Sequence, residues 1–175
     1  MRRNVADYIV YNKYFCLVFS LGLLYTLLLQ TFVKDEVFFS GDGGLKALLT
    51  RQFSRGEYHV DLRLPSPLWV KQLWNKGLYP FQPPFVYVQQ NRRYVTFDFL
   101  FPLLSSPFYK WFGFRGLRIV PLISTWLIWV LFYIFCKGFE LDDKWRALAL
   151  AVLIFSSNLT IYSAMFWEHT FAVWS

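Results

Sequence analysis

Tyr14-Phe15-Cys16-Leu17-Val18-Phe19-Ser20-Leu21-Gly22-Leu23-Leu24-Tyr25-Thr26-Leu27-Leu28-Leu29-Gln30-Thr31-Phe32-Val33 is the stretch whose reading decides the fold. It carries no charge and is rich in Leu and Phe, and roughly 20 such residues suffice for a helix to cross the hydrocarbon core of a bilayer. Arg2, Arg3 and Lys13 precede it, the basic flank expected on the cytoplasmic side of a first spanning helix. A cleaved secretory signal is the competing explanation. Against it, the run exceeds the roughly 7–15 apolar residues of a signal core, and no small-residue cleavage site comes before Lys34-Asp35-Glu36.

The rest of the chain agrees with this class. Of 175 residues, 56% are hydrophobic, 22% aromatic and 17% charged, whereas soluble domains have about a quarter of their residues charged. The formal net charge of +7 does not point to nucleic acid, because Lys and Arg are scattered and no RNA-binding signature accompanies the aromatics. Membrane surface and anionic lipid phosphate are the partners expected instead. Cys16 and Cys136 both sit in apolar runs and have neither metal-ligand spacing nor a disulfide framework around them.

The expected architecture is an α-helical integral membrane protein of about three transmembrane helices, with a large extracytoplasmic loop bearing short amphipathic helices. Residues 1–13 form a cytoplasmic N-terminus and 14–33 the first span. Residues 34–117 form the loop, in which 44–53 reads as an amphipathic helix with Leu45, Leu48 and Leu49 on one face. Pro65-Ser66-Pro67, Tyr79-Pro80 and Pro83-Pro84 break any longer helix. Within the loop, 97–114 is aromatic but interrupted by Pro102, Pro107 and Lys110, so it is expected to be interfacial or re-entrant and not to cross the bilayer. The second span is 118–136, with Pro121 tolerated in its first turn. A cytoplasmic turn at 137–146 and a third span at 147–166 follow. Residues 167–175 begin a further apolar segment, and the ending is most simply explained by truncation. Lys137, Lys144 and Arg146 mark the second connection as cytoplasmic, which puts the loop and Glu168-His169 on the outer face.

Two motifs could carry chemistry. In Phe38-Phe39-Ser40-Gly41-Asp42-Gly43-Gly44-Leu45-Lys46 the glycines permit a sharp backbone path and close ligand approach, Asp42 offers a carboxylate, and the following helix start attracts anions. Lys46 could neutralise a phosphate held there. A solvated turn with a helix-capping Asp explains the same residues. It is neither a Walker A loop nor a dinucleotide fingerprint. In Trp167-Glu168-His169-Thr170, a carboxylate and an imidazole at the membrane boundary could bind metal, orient an acceptor or relay a proton. An interfacial Trp anchor followed by water-exposed polar residues is the plainer account. His59, Arg51, Arg55, Arg92 and Arg93 read as loop surface charges or headgroup partners.

Taken together, the first helix, Ser40-Gly41-Asp42-Gly43-Gly44-Leu45-Lys46, Phe99-Leu100-Phe101-Pro102-Leu103-Leu104-Ser105-Ser106-Pro107-Phe108-Tyr109 and Phe166-Trp167-Glu168-His169-Thr170 resemble the N-terminal part of bacterial polytopic glycosyltransferases. The resemblance is to the GT-C superfamily, near the protein mannosyltransferase and lipid A aminoarabinose transferase type, and spans almost the whole chain through loose motifs. It implies an inverting transferase in the bacterial inner (cytoplasmic) membrane that takes a sugar from a polyprenyl-phosphate donor on the outer side. It also implies that an acidic residue of the first outer loop acts as base or in a metal-assisted acceptor site, and Asp42 is the matching position. Many relatives have two adjacent acids there, whereas Asp42 lies between Gly41 and Gly43; the departure puts a divalent metal ion in question. Lys46, Arg51 or Arg55 could offset charge on the leaving lipid phosphate, and Glu168 and His169 could form an acceptor or metal site. The competing classes are a non-catalytic polytopic scaffold or assembly subunit and a transporter fragment, the latter disfavoured by the near absence of ionisable residues within the spans. Sugar and acceptor are not specified by the sequence.

Overall fold

A computed structural model of the chain describes residues 12–35, 38, 41–62, 72, 76, 83–90, 92–169 and 172. It is mostly helical. In chain order the elements are α1 (Lys13–Phe32), α2 (Gly41–Ser54), strands β1 (Val86–Gln89) and β2 (Arg92–Val95), α3 (Leu100–Phe112), a 3-10 segment (Gly113–Arg118), α4 (Ile119–Lys137), α5 (Asp143–Ser156) and the short α6 (Asn158–Tyr162). They fall into two compact units, one made of Met1–Lys34 with Pro121–Ser175 and the other of Asp35–Val120.

The first unit is built from α1, most of α4, α5 and α6. Asn12 starts α1 by accepting from the backbone N–H groups of Tyr14 (3.0 Å) and Phe15 (3.1 Å), which satisfies donors that a helix start leaves orphaned. Phe15, Trp129, Tyr133, Leu150 and Ile154 form the core. Gly22 lets the helices approach closely, since a Cβ there would lie 2.9 Å from both Ile154 Cδ1 and Trp129 Cζ3. Neutral polar groups join the helices: Asn12 Nδ2 donates to Tyr133 Oη (2.6 Å), Trp126 Nε1 to Thr26 Oγ1 (3.1 Å), and Gln30 Nε2 to the Ser163 carbonyl (2.8 Å). The outward side is apolar, with Leu24 65% and Phe32 74% exposed.

The second unit is the loop region. Leu45, Leu49, Phe53, Leu62 and Val86 form its core, and α2 packs along α3. The strands form an antiparallel hairpin with Val86 opposite Val95 and Gln89 opposite Arg92, and Gln90 at the turn adopts φ 49°. The hairpin is an addition to the expected loop of short amphipathic helices. Its β-branched and aromatic residues, Val86, Tyr87, Val88, Tyr94 and Val95, supply the strand preference.

Two helical runs among the described residues are long and apolar enough to cross a membrane: Lys13–Phe32, and Leu100–Lys137, which includes α4. The bounds of α1 and α4 agree to within a residue or two with those expected for the first two spans. The third differs. Where one helix over 147–166 is expected, α5 starts earlier, at Asp143, and ends at Ser156, Ser157 is extended, and α6 is a separate short helix. Ser and Thr hydroxyls compete for the backbone here: Ser157 Oγ donates to the Leu153 carbonyl (2.5 Å) and Thr160 Oγ1 to that of Ile154 (2.6 Å).

The interval 97–114 also differs from the irregular segment expected, because α3 is regular despite its prolines. Leu100 N–H is taken by Asp98 Oδ1 (3.0 Å), and Pro102 occupies the first turn, where its missing N–H costs nothing. Pro107 removes the donor that the Leu103 carbonyl would otherwise receive four residues on. Ser106 Oγ supplies a replacement, donating to that carbonyl at 2.8 Å. Gly113 at φ 59° then ends α3, and Gly116 lies so close to the α3 backbone that a Cβ would come within 2.1 Å of the Phe108 carbonyl oxygen.

The expected N-terminus 1–13 lies outside the described residues up to 11, as do the proline breaks at 65, 67 and 80, Ser40 of the glycine-rich motif, and most of 170–175.

Candidate functional site

The glycine-rich motif folds as the opening of α2, with Asp42 in its first turn. A carboxylate there faces the positive end of the helix macrodipole. Lys46 follows four residues later on the same face, with the acid N-terminal to the base, the favoured order of an i,i+4 pair. Lys46 Nζ lies 3.2 Å from Asp42 Oδ2. The pair is asymmetric: the Lys46 side chain is 2% exposed and that of Asp42 20%. Lys46 Nζ also sits 4.5 Å from the centroid of the Phe97 ring, whose face attracts a cation. Burial of Leu45 and Leu49 on the adjoining face holds α2 so that Lys46 points inward and Asp42 remains at the surface.

This arrangement redistributes the residues singled out in the sequence. Lys46 is committed to Asp42 and Phe97 and buried, so it holds the carboxylate and is not an open phosphate ligand. Arg51 is exposed in the last turn of α2 and Arg55 is exposed beyond its end. From Asp42 to Arg51 the helix rises roughly 14 Å, so neither arginine can meet a phosphate placed against Asp42. Glu168 and His169 belong to the first unit. The His169 ring lies 4.9 Å from that of Trp167 and 5.4 Å from that of Tyr162, and the Glu168 carbonyl accepts from Ala172 N–H (2.8 Å). His169 therefore stands among aromatic rings at a chain turn.

A divalent ion fits poorly at Asp42. Its carboxylate is paired with an ammonium, and among the described residues no group of three or more His, Cys, Asp or Glu side chains could hold a metal ion. What Asp42 itself contributes is a carboxylate held in place by a buried ammonium.

Two clusters escaped the sequence reading. His59 Nδ1 lies 2.9 Å from Asp61 Oδ1, and His59 Nε2 lies 3.6 Å from Glu57 Oε2. Buried Gln52 donates to the carbonyls of His59 (2.7 Å) and Asp61 (3.0 Å), tying this turn to α2. The spacing of Glu57, His59 and Asp61 on alternate residues was the available signal. In the second cluster, Asp35 bridges Arg118 (2.8 Å) and Arg115 (3.2 Å) across 80 residues, a separation that leaves no local pattern to find. Arg118 is nearly buried, and the Asp35 carboxylate offsets the cost of burying its charge.

No protein-family model, curated protein or solved structure matches the chain.

Proposed function

We propose that this chain is the N-terminal part of a polytopic membrane glycosyltransferase that moves a sugar from a polyprenyl-phosphate donor to an acceptor on the extracytoplasmic side, with Asp42 as the general base. The observation that carries the proposal is the asymmetry of the Asp42–Lys46 pair, in which a buried cation orients a carboxylate at the surface of the loop unit. In the reaction the acceptor hydroxyl passes its proton to Asp42 as its oxygen bonds the anomeric carbon. The anomeric bond to the lipid phosphate breaks, and its electron pair leaves on the phosphate oxygen. A hydroxyl is a poor nucleophile until a positioned base takes its proton, a contribution of roughly 10²–10⁴-fold. The two long apolar helices support placement in a membrane, where a lipid-linked donor would be available.

The same pair also supports a second reading, that of a non-catalytic membrane subunit, because an ion pair across the first turn stabilises α2 whether or not chemistry occurs. Transfer from a panel of polyprenyl-phosphate-linked sugars, measured in membranes carrying the full-length protein, separates the two. Asp42→Asn should lower transfer by roughly 10²–10⁴-fold. Because this substitution also unbalances the buried Lys46 charge, Asp42→Asn combined with Lys46→Met is the necessary companion: it restores stability and should stay inactive. Near-normal transfer by the folded double variant removes Asp42 from the chemistry and favours the subunit.

A further inference from the structure

The outward face of α3 is apolar. Leu100, Leu104, Pro107 and Trp111 succeed one another at intervals of four, three and four residues, which places them along one side of a helix. All four are exposed, Trp111 to 73%. The opposite side, Phe101, Pro102, Ser105 and Ser106, is buried, and α3 packs on α2. Its own unit thus covers one side of the helix and leaves the apolar stripe bare. Cations stand at the C-terminal end of the bare stripe: Lys110 is exposed, and Arg115 is 79% exposed although its Nε is tethered to Asp35.

We infer that α3 lies in the membrane interface, with the Leu100–Leu104–Pro107–Trp111 stripe set into the acyl boundary and Lys110 and Arg115 on the phosphates of anionic lipids. A helix with an aromatic and leucine face and cations at its polar border is the form that partitions to that depth, and Trp belongs at the headgroup level. Charge complementarity selects an anionic lipid surface over a neutral one at the C-terminal end of the stripe, where Lys110 and Arg115 are exposed; Asp98 stands at the other end, and Asp35 is paired with Arg115 and the nearly buried Arg118. Chain continuity supplies the second argument. The 3-10 segment that follows α3 leads directly into α4, uncharged from Ile119 to Cys136, so the end of α3 is held within a few residues of an entry point into the bilayer. Gly116 is seated tightly against the Phe108 carbonyl, which holds the 3-10 segment against the end of α3.

This inference rests on the membrane placement proposed above, and the experiment keeps the two apart. The full chain with Cys16→Ser and Cys136→Ala is reconstituted in vesicles of three parts phosphatidylcholine to one part phosphatidylglycerol. Nitroxide labels are attached in turn to Leu100→Cys, Leu104→Cys and Trp111→Cys, and to Leu131→Cys in α4 as the reference. Accessibility to oxygen and to a water-soluble nickel chelate reports depth. The expected result is a deep reading at position 131 and shallow but lipid-exposed readings at 100, 104 and 111, which become shallower in pure phosphatidylcholine and on Lys110→Glu with Arg115→Glu. A water-exposed label at 131 would overturn the membrane placement itself. A deep label at 131 with the α3 positions open to the nickel chelate, or shielded from both reagents as beneath another protein, overturns the inference alone. Depth unchanged by lipid charge and by the double charge reversal overturns the role given to Lys110 and Arg115.

Discussion

The two units solve opposite packing problems. In α1 the buried residues are Phe15, Gly22 and Thr26, while Leu17, Leu21, Leu24 and Leu28 face outward. In α2 the buried set includes Leu45, Leu49 and Phe53 together with Lys46 and Gln52, while Arg51 faces outward. The second pattern is that of a helix in water. The first puts Phe15, a small residue and a hydroxyl inside and leucines outside, a pattern that agrees with the membrane placement proposed above, where small residues and interhelical hydrogen bonds hold helices together. The difference teaches that burial alone does not distinguish the two units; the chemistry of the residues left outside does.

The largest expected effect sharpens this contrast in the loop unit. Asp42→Ala removes the carboxylate that faces the buried Lys46 and should destabilise the unit by about 3–5 kcal/mol, the usual cost of breaking a buried pair from one side. Asp42→Ala together with Lys46→Met should recover most of that loss, as thermal unfolding followed by limited proteolysis of the loop would record. If the single variant unfolds no earlier than the wild type, the pair is only a surface contact.

In the helical unit the corresponding probe is steric. Gly22→Leu should cost about 1–3 kcal/mol through overpacking, since even a Cβ would stand 2.9 Å from Ile154 and Trp129. Unfolding in detergent measures it, and an unchanged midpoint would mean that α1 does not pack against α4 and α5 as described.

A smaller effect tests how α3 tolerates its proline. Ser106→Ala should cost about 1 kcal/mol, the net worth of an ordinary hydrogen bond, because the Leu103 carbonyl loses the hydroxyl that stands in for the missing donor of Pro107. The cost should vanish in a Pro107→Ala background. Equal costs in the two backgrounds would show that Ser106 acts independently of the proline.

The smallest effect is expected from the neutral polar contacts of the helical unit. Trp126→Phe deletes the hydrogen bond to Thr26 and should lower stability by about 0.6 kcal/mol, the average for interhelical bonds in a membrane protein. A loss several times larger would move the first unit toward the water-built pattern of the second.

The sequence by itself determined the apolar helices and much of the motif geometry. Uncharged runs of bilayer length are local facts, so helices near 14–33 and 118–136 were legible to within a residue or two; the sequence placed Asp42 in a glycine-rich turn before a helix at 44–53, whereas α2 begins at Gly41 and so carries Asp42 and Lys46 one turn apart on the same face. Local competition was harder to weigh. The hydroxyls around Ser157 divide an otherwise apolar run into α5 and α6, and Ser106 rescues α3 at Pro107, because each outcome depends on which carbonyl a short side chain reaches. Only the tertiary structure decided which charges are spent inside the protein. Lys46 becomes buried because Phe97, 51 positions later, lies over it, and Arg118 because Asp35 lies beside it. The cost of burying a charge is set by its neighbours in space, and those neighbours are far away along the chain, where neither composition nor periodicity reaches.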